Sequence, residues 1–136
     1  MTPFYAAVVR RPFVALLLAG AALGGCGGGP TDEEQVRASV DAFSKATAAK
    51  DYSKLCTQLL APKLVEQVRS VGLPCEVALK QGLGEVKEPK LTIGRVTVDG
   101  DAATADVRTS AAGEAPSRDT LKLTKIDGRW RIASFG

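Results

Sequence analysis

The stretch V-T-V-D-G-D-A-A-T-A-D-V, Val96 to Val107, holds two alternating runs around one turn signal. Val96 and Val98 flank Thr97; further on, Ala103, Ala105 and Val107 alternate with Thr104, Asp106 and Arg108. A period of two places one set of side chains on one face of a strand and the other set on the opposite face. Asp99-Gly100 between the runs marks a hairpin, because glycine supplies the positive φ that tight loops demand. Upstream, Leu91 and Ile93 share a phase that Val96 and Val98 do not, so a bulge or bend is expected at Gly94. Downstream the pattern returns. Thr120 to Ile126 carries Leu121 and Leu123 on one face, Asp127-Gly128 is a second turn, and Arg129 to Phe135 places Trp130 and Ile132 on one side. Ser110 to Ser117 reads as the loop between the hairpins. The sum is a four-stranded antiparallel meander.

Before this sheet the spacing is helical. Thr31-Asp32-Glu33-Glu34 forms a capping box, and its three carboxylates suit the positive end of a helix dipole. Val36, Val40, Phe43 and Thr47 then predict an amphipathic helix from Asp32 to about Ala49, with Phe43 in the core. Ser53 to Leu60 predicts a second, short helix with Leu55, Cys56, Leu59 and Leu60 inward. Pro62 opens a third, where its missing N–H costs nothing, and Gly72 closes it. Pro74 opens a last helix through about Gln81. Helices followed by a meander give an α+β class: one long helix, two or three short ones, then a curved four-stranded sheet.

The order of long helix, short helices with a cysteine pair, V-x-V-D-G-D-A-A-T-A-D-V and closing L-K-L-T-K-I-D-G-R-W-R-I resembles the nuclear transport factor 2-like (NTF2-like) superfamily. The resemblance implies a cone, in which the curved sheet wraps the long helix around a cavity. Some members are isomerases or dehydratases with an acidic base in that cavity; many bind ligands or partners and catalyse nothing.

The N-terminus carries a different signal. Arg10 and Arg11 precede P-F-V-A-L-L-L-A-G-A-A-L, a charge-free run shorter than the roughly 20 residues a membrane-spanning helix needs. Small residues follow, so this is an export leader. Leu23-Gly24-Gly25-Cys26 resembles the lipobox of bacterial lipoprotein precursors. That resemblance implies a diacylglycerol on the Cys26 sulfur and cleavage before it. An ordinary secretory leader and an uncleaved anchor are the alternatives. The Arg10-Arg11 pair also resembles a twin-arginine signal, but Val9 precedes it where Ser or Thr is usual, which favours the general secretory route. The expected organisation is a signal peptide over 1–25, a lipidated N-terminus and glycine-rich tether over 26–30, and an NTF2-like domain over 31–136. The expected location is the extracytoplasmic face of the cell membrane.

Removing the leader takes the 18 basic side chains to 16 against 15 acidic ones, and the net charge from +3 to +1. This balance implies no basic face and argues against nucleic acid as a partner. Attachment to the membrane would rest on acyl chains, since the domain begins with acidic residues. With Cys26 lipidated, Cys56 and Cys75 are left over, and outside the cytoplasm such a pair usually forms a disulfide. Two buried thiols are the alternative. A closed zinc site is disfavoured because the chain holds no histidine.

Catalytic motifs are missing from this pattern. Without histidine the commonest general base is absent, and there is no phosphate-binding loop or nucleophile elbow. Asp99, Asp101 and Asp127 are turn residues. Asp106 lies between inward alanines and should face solvent. Tyr52, at a helix junction, and Trp130, the only tryptophan, are packing residues first. Any cavity should be aliphatic, with Phe43, Tyr52 or Trp130 as its larger walls. These features predict a non-catalytic domain, without metal or cofactor, that binds a small apolar ligand or an envelope protein. The alternative is a small isomerase- or dehydratase-type enzyme with a cavity carboxylate.

Overall fold

Thr31 starts the first helix as its spacing predicts. Its hydroxyl accepts from the Glu34 N–H at 3.2 Å while the Glu34 carboxylate accepts from the Thr31 N–H at 2.7 Å. The computed structural model describes residues 28–136; residues 1–27, with the expected leader and Cys26, lie outside the described residues. Helix α1 runs Asp32–Ala48 and buries Val36, Val40 and Ala46. Phe43 and Thr47 are only half-buried. Thr47 turns its hydroxyl back to the Phe43 carbonyl at 2.8 Å, and Ala46 takes the inward position instead.

The second helix departs from the expected span. It is a single α-turn, α2, over Tyr52–Lys54, continued by a π-helical turn over Leu55–Leu59. Leu60 is already extended, and its N–H reaches the Leu55 carbonyl at 2.9 Å. In a regular α-helix, at about 100° per residue, Leu60 would point well away from Leu55. The wider turn keeps Leu55, Leu59 and Leu60 all buried, while Cys56 stays half-buried. Leu60 then forms a parallel bridge to Ile132, and the Ala61 N–H donates to the Ile132 carbonyl at 2.8 Å. Helix α3, Pro62–Arg69, begins with its proline in the first turn. Helix α4, Cys75–Leu83, follows Pro74 and runs slightly past the expected end.

The sheet is the expected antiparallel meander in the order β1-β2-β3-β4: Lys90–Asp99, Ala102–Ser110, Ser117–Ile126 and Arg129–Phe135. Its register breaks between Ile93 and Val96, which pair with Val107 and Ala105, so Gly94 and Arg95 together face Asp106. This is the bulge expected at Gly94, and a Cβ there would approach the Asp106 carbonyl to 3.3 Å. A second break lies between Lys122 and Leu123, opposite Ser134 and Ile132. Such bulges bend and twist the strands they interrupt, which curves the sheet. The β3–β4 loop holds positive φ at both Asp127 and Gly128, the pattern of a tight two-residue hairpin.

The curved sheet turns its apolar face to the helices. Ala103, Ala105, Val107, Leu121, Leu123, Trp130 and Ile132 pack with Val36, Val40, Leu60 and Cys75. Alanines at the centre of β2 leave room for α1 to lie close. The helix is fastened at its start. Asp32 accepts from the Lys125 ammonium at 2.8 Å and from the Trp130 indole N–H at 3.2 Å, and Ser39 donates to the Trp130 carbonyl at 2.7 Å.

Candidate functional site

At the far end of α1 from this latch, the helices and sheet do not close on each other. Phe43 stands between two adjoining pockets. The first, about 320 Å³, is walled by Leu55 of the π turn and Leu60 just after it, by Ala78, Leu79, Gly82 and Leu83 of α4, and by Phe135 of β4. None of these side chains, nor Phe43, ionises. Phe135 is 54% exposed and closes the pocket edge, with its ring centroid 5.7 Å from that of Phe43 and the planes tilted by 43°. An aromatic pair at this spacing has a favourable offset geometry, so the two rings form a stable wall. The second pocket, about 220 Å³, shares Phe43 and Leu83 and continues over Leu91, Thr47, Thr109 and Ser117, with Lys90 and Glu114 at its exposed rim.

Cys56 and Cys75 are joined by a disulfide with a Cα–Cα separation of 6.1 Å. The bond ties the π turn to the first residue of α4, so it fixes the distance between two walls of the first pocket.

A short polar chain marks the sheet side of the second pocket. The hydroxyls of Thr109 and Ser117 lie 2.8 Å apart across the β2–β3 pair, and Ser117 donates to the Asp119 carboxylate at 2.9 Å. Ser117 and Asp119 alternate in phase with Leu121 and Leu123 and therefore share the concave face. Sequence reasoning passed over them because polar residues beside a loop resemble a solvated strand end. The phase they share with the two leucines was the available signal.

The other candidate residues are placed as follows. Phe43 lines both pockets. Tyr52 packs beside Ala46, Leu55 and Leu59, behind the first pocket and not on its lining. Trp130 is 3% exposed and edges a shallow groove with Gln35, Ser39 and Arg129, at the opposite end of α1. The Lys125 ammonium lies 5.8 Å above the Trp130 ring. Two hydrogen bonds, that from Lys125 foremost and then that from Trp130, hold the Asp32 carboxyl below the ordinary carboxylate value. Asp106 lies on the outward face, where it accepts from Thr120 at 3.2 Å. It borders an open polar groove with Arg108 and Arg118. Among the described residues, no three histidine, cysteine or carboxylate side chains converge as a metal would require.

The architecture has close counterparts among solved structures. An NTF2-like protein of unknown function from Shewanella baltica OS155 aligns at a TM-score of 0.54, covering 74% of this chain and 87% of that one at 16% identity. A second, from Silicibacter pomeroyi DSS-3, gives 0.52, with 74% and 89% covered at 19% identity. The fold is NTF2-like. A further NTF2-like structure, from Streptomyces avermitilis, is described as a "putative dehydratase" and gives 0.53, with 75% and 91% covered at 17% identity. In sequence, residues 75–135, from the start of α4 to the end of β4, match a family described as "Putative lumazine-binding". No curated protein matched the sequence. The second pocket thus lies between the long helix and the curved sheet of an NTF2-like fold, and the first lies where the short helices meet Phe43 and Phe135.

Proposed function

We propose that this chain is a lipid-anchored, extracytoplasmic binding domain that takes a small apolar ligand beside Phe43 and catalyses no reaction on it. The observation that carries this reading is the lining of the first pocket: eight residues, all apolar or glycine, with no ionisable side chain. Such a surface gains affinity from apolar contact and offers no proton donor or base. The description of the family matched over residues 75–135 agrees with a binding role. A dehydratase reading, as the Streptomyces protein's description suggests for that protein, would need a carboxylate or other base among these side chains.

The anchor is supported by Leu23-Gly24-Gly25-Cys26 behind a short charge-free run. No helix among the described residues is long and apolar enough to cross a membrane. In this reading residues 1–25 are removed, Cys26 carries the lipid, residues 26–30 form the tether, and the domain over 31–136 works close to the membrane surface. Its partners are the membrane, through the anchor, and a small apolar ligand; an envelope protein docking on the exposed Phe135 edge is the competing occupant.

Gly82 provides the test. It lies on the pocket wall in α4, and a Cβ there would meet nothing within 4 Å. Gly82→Leu should fill the pocket while sparing the fold, since replacing a helical glycine usually adds about 0.5–1 kcal/mol of stability. Nonanol at about 100 times its dissociation constant should stabilise the unsubstituted domain by about 2.7 kcal/mol in thermal unfolding. The shift should vanish in Gly82→Leu. Equal shifts in both proteins would place the ligand elsewhere, and no shift in either would favour a protein partner.

A further inference from the structure

The polar edge of the second pocket has a fixed hydrogen-bond polarity. An ionised carboxylate can only accept. Asp119 receives the Ser117 hydroxyl at 2.9 Å and stands 3.5 Å from the Thr109 hydroxyl. The two hydroxyls are themselves 2.8 Å apart. Two hydroxyl protons therefore serve three contacts within the trio. If Ser117 donates to Asp119, Thr109 donates to Ser117 or also to Asp119; if Thr109 donates to Asp119, Ser117 donates to Thr109 or also to Asp119. In each of these arrangements both protons are used inside the trio, and what remains toward the pocket is oxygen lone pairs. Thr109 and Ser117 line the same cavity as Phe43, Leu83 and Leu91. At Thr109 and Ser117 the lining thus presents a pair of acceptors, on a pocket whose other polar side chains include Ser44, Ser110, Lys90 and Glu114.

From this we infer that the pocket selects an amphiphile with an apolar body and a hydrogen-bond-donating head, such as an alcohol, an amide or an amine. This rests on the binding reading given above and narrows it. The head donates to Thr109 or Ser117, while the body lies against Phe43 and reaches toward Leu79 and Leu83. Asp119 is a positioning residue: it does not line the pocket, and it acts by holding the two hydroxyl protons away from the ligand. A head that only accepts would face lone pairs with lone pairs at this edge.

An isomeric pair of probes separates these contributions, because nonanol and methyl octyl ether have the same atoms and differ in the donor. Titration calorimetry of the unsubstituted domain should show nonanol binding about tenfold more tightly, the equivalent of one well-made hydrogen bond. In Ser117→Ala the ratio should fall toward one through weaker nonanol binding. In Asp119→Ala the hydroxyl protons are released and can turn to the ligand, so the ether should gain affinity. A side chain that merely supported the fold would not produce that gain. Asp119 is exposed, and thermal unfolding of its variant should match the unsubstituted domain. Equal binding of the two probes to the unsubstituted domain, or an unchanged ratio in both variants, would overturn this inference and leave apolar binding standing. Failure of both probes to bind would overturn the binding reading and this one together.

Discussion

Asp32 shows how much one side chain can join. It is the first residue of α1, where a carboxylate meets the positive end of the helix dipole, and it also bonds Lys125 and Trp130 at the other end of the chain. The dipole role was legible in Thr31-Asp32-Glu33-Glu34. The partners were not, because 93 and 98 residues separate them from Asp32. The Lys125 contact, and after it the indole, lower the Asp32 pKa in the folded chain. A lowered folded pKa contributes stability above the unfolded value, about 3.9 for Asp, and loses it as pH falls through the folded value. Asp32→Asn should therefore be less stable than the unsubstituted domain at neutral pH, with the gap closing below about pH 4. Urea midpoints followed by the single tryptophan, which sits at this contact, would measure it. A gap that stays constant from neutral to acid pH would contradict the assignment.

Among the elements, the π turn was the least legible. Leucines at 55, 59 and 60 suit a regular helix equally well until Leu60 must also reach Ile132. The strands were read more fully, since alternation and turn residues are local signals. The phase slip at Gly94 located a real bulge, and both hairpins fell where their glycines stand. The disulfide was inferred from an even count of leftover cysteines, and its placement between the π turn and α4 gives it a second consequence. For a sequence separation of 19 the chain-entropy model gives about 3 kcal/mol, and removal of a bridge from a small exported domain costs about 2–5 kcal/mol. Cys56→Ala should lose stability in that range by chemical denaturation, and a reducing agent should bring the unsubstituted domain to a similar midpoint. The same change should weaken nonanol binding, because Leu55 and Leu79 would no longer be held at a fixed spacing. Loss of stability with undiminished affinity would show that the bridge supports the fold and not the pocket.

At the scale of the whole molecule, the proposed anchor and the pocket sit on one short chain, with the tether over 26–30 between them. If Cys26 carries the lipid, the full-length protein should partition with membranes from expressing cells, and Cys26→Ser should release it or stop its processing. An intact mass with a free thiol at Cys26 would end that reading. The α+β class, the strand order and the helix starts followed from sequence alone, because backbone hydrogen bonding, side-chain period and turn chemistry act over a few residues. So did the outward placement of Asp106, which simple alternation dictates. The cavity was decided only by tertiary packing. Phe43 reads as an ordinary core position on its helix, yet it is only half-buried and lines both pockets. Trp130 and Tyr52 read as equal candidates with Phe43 for cavity walls. Packing set Trp130 against Asp32 at the opposite end of α1 and left Tyr52 behind the pocket. Burial depends on what lies across the gap, and a single strand or helix carries no record of its distant neighbours.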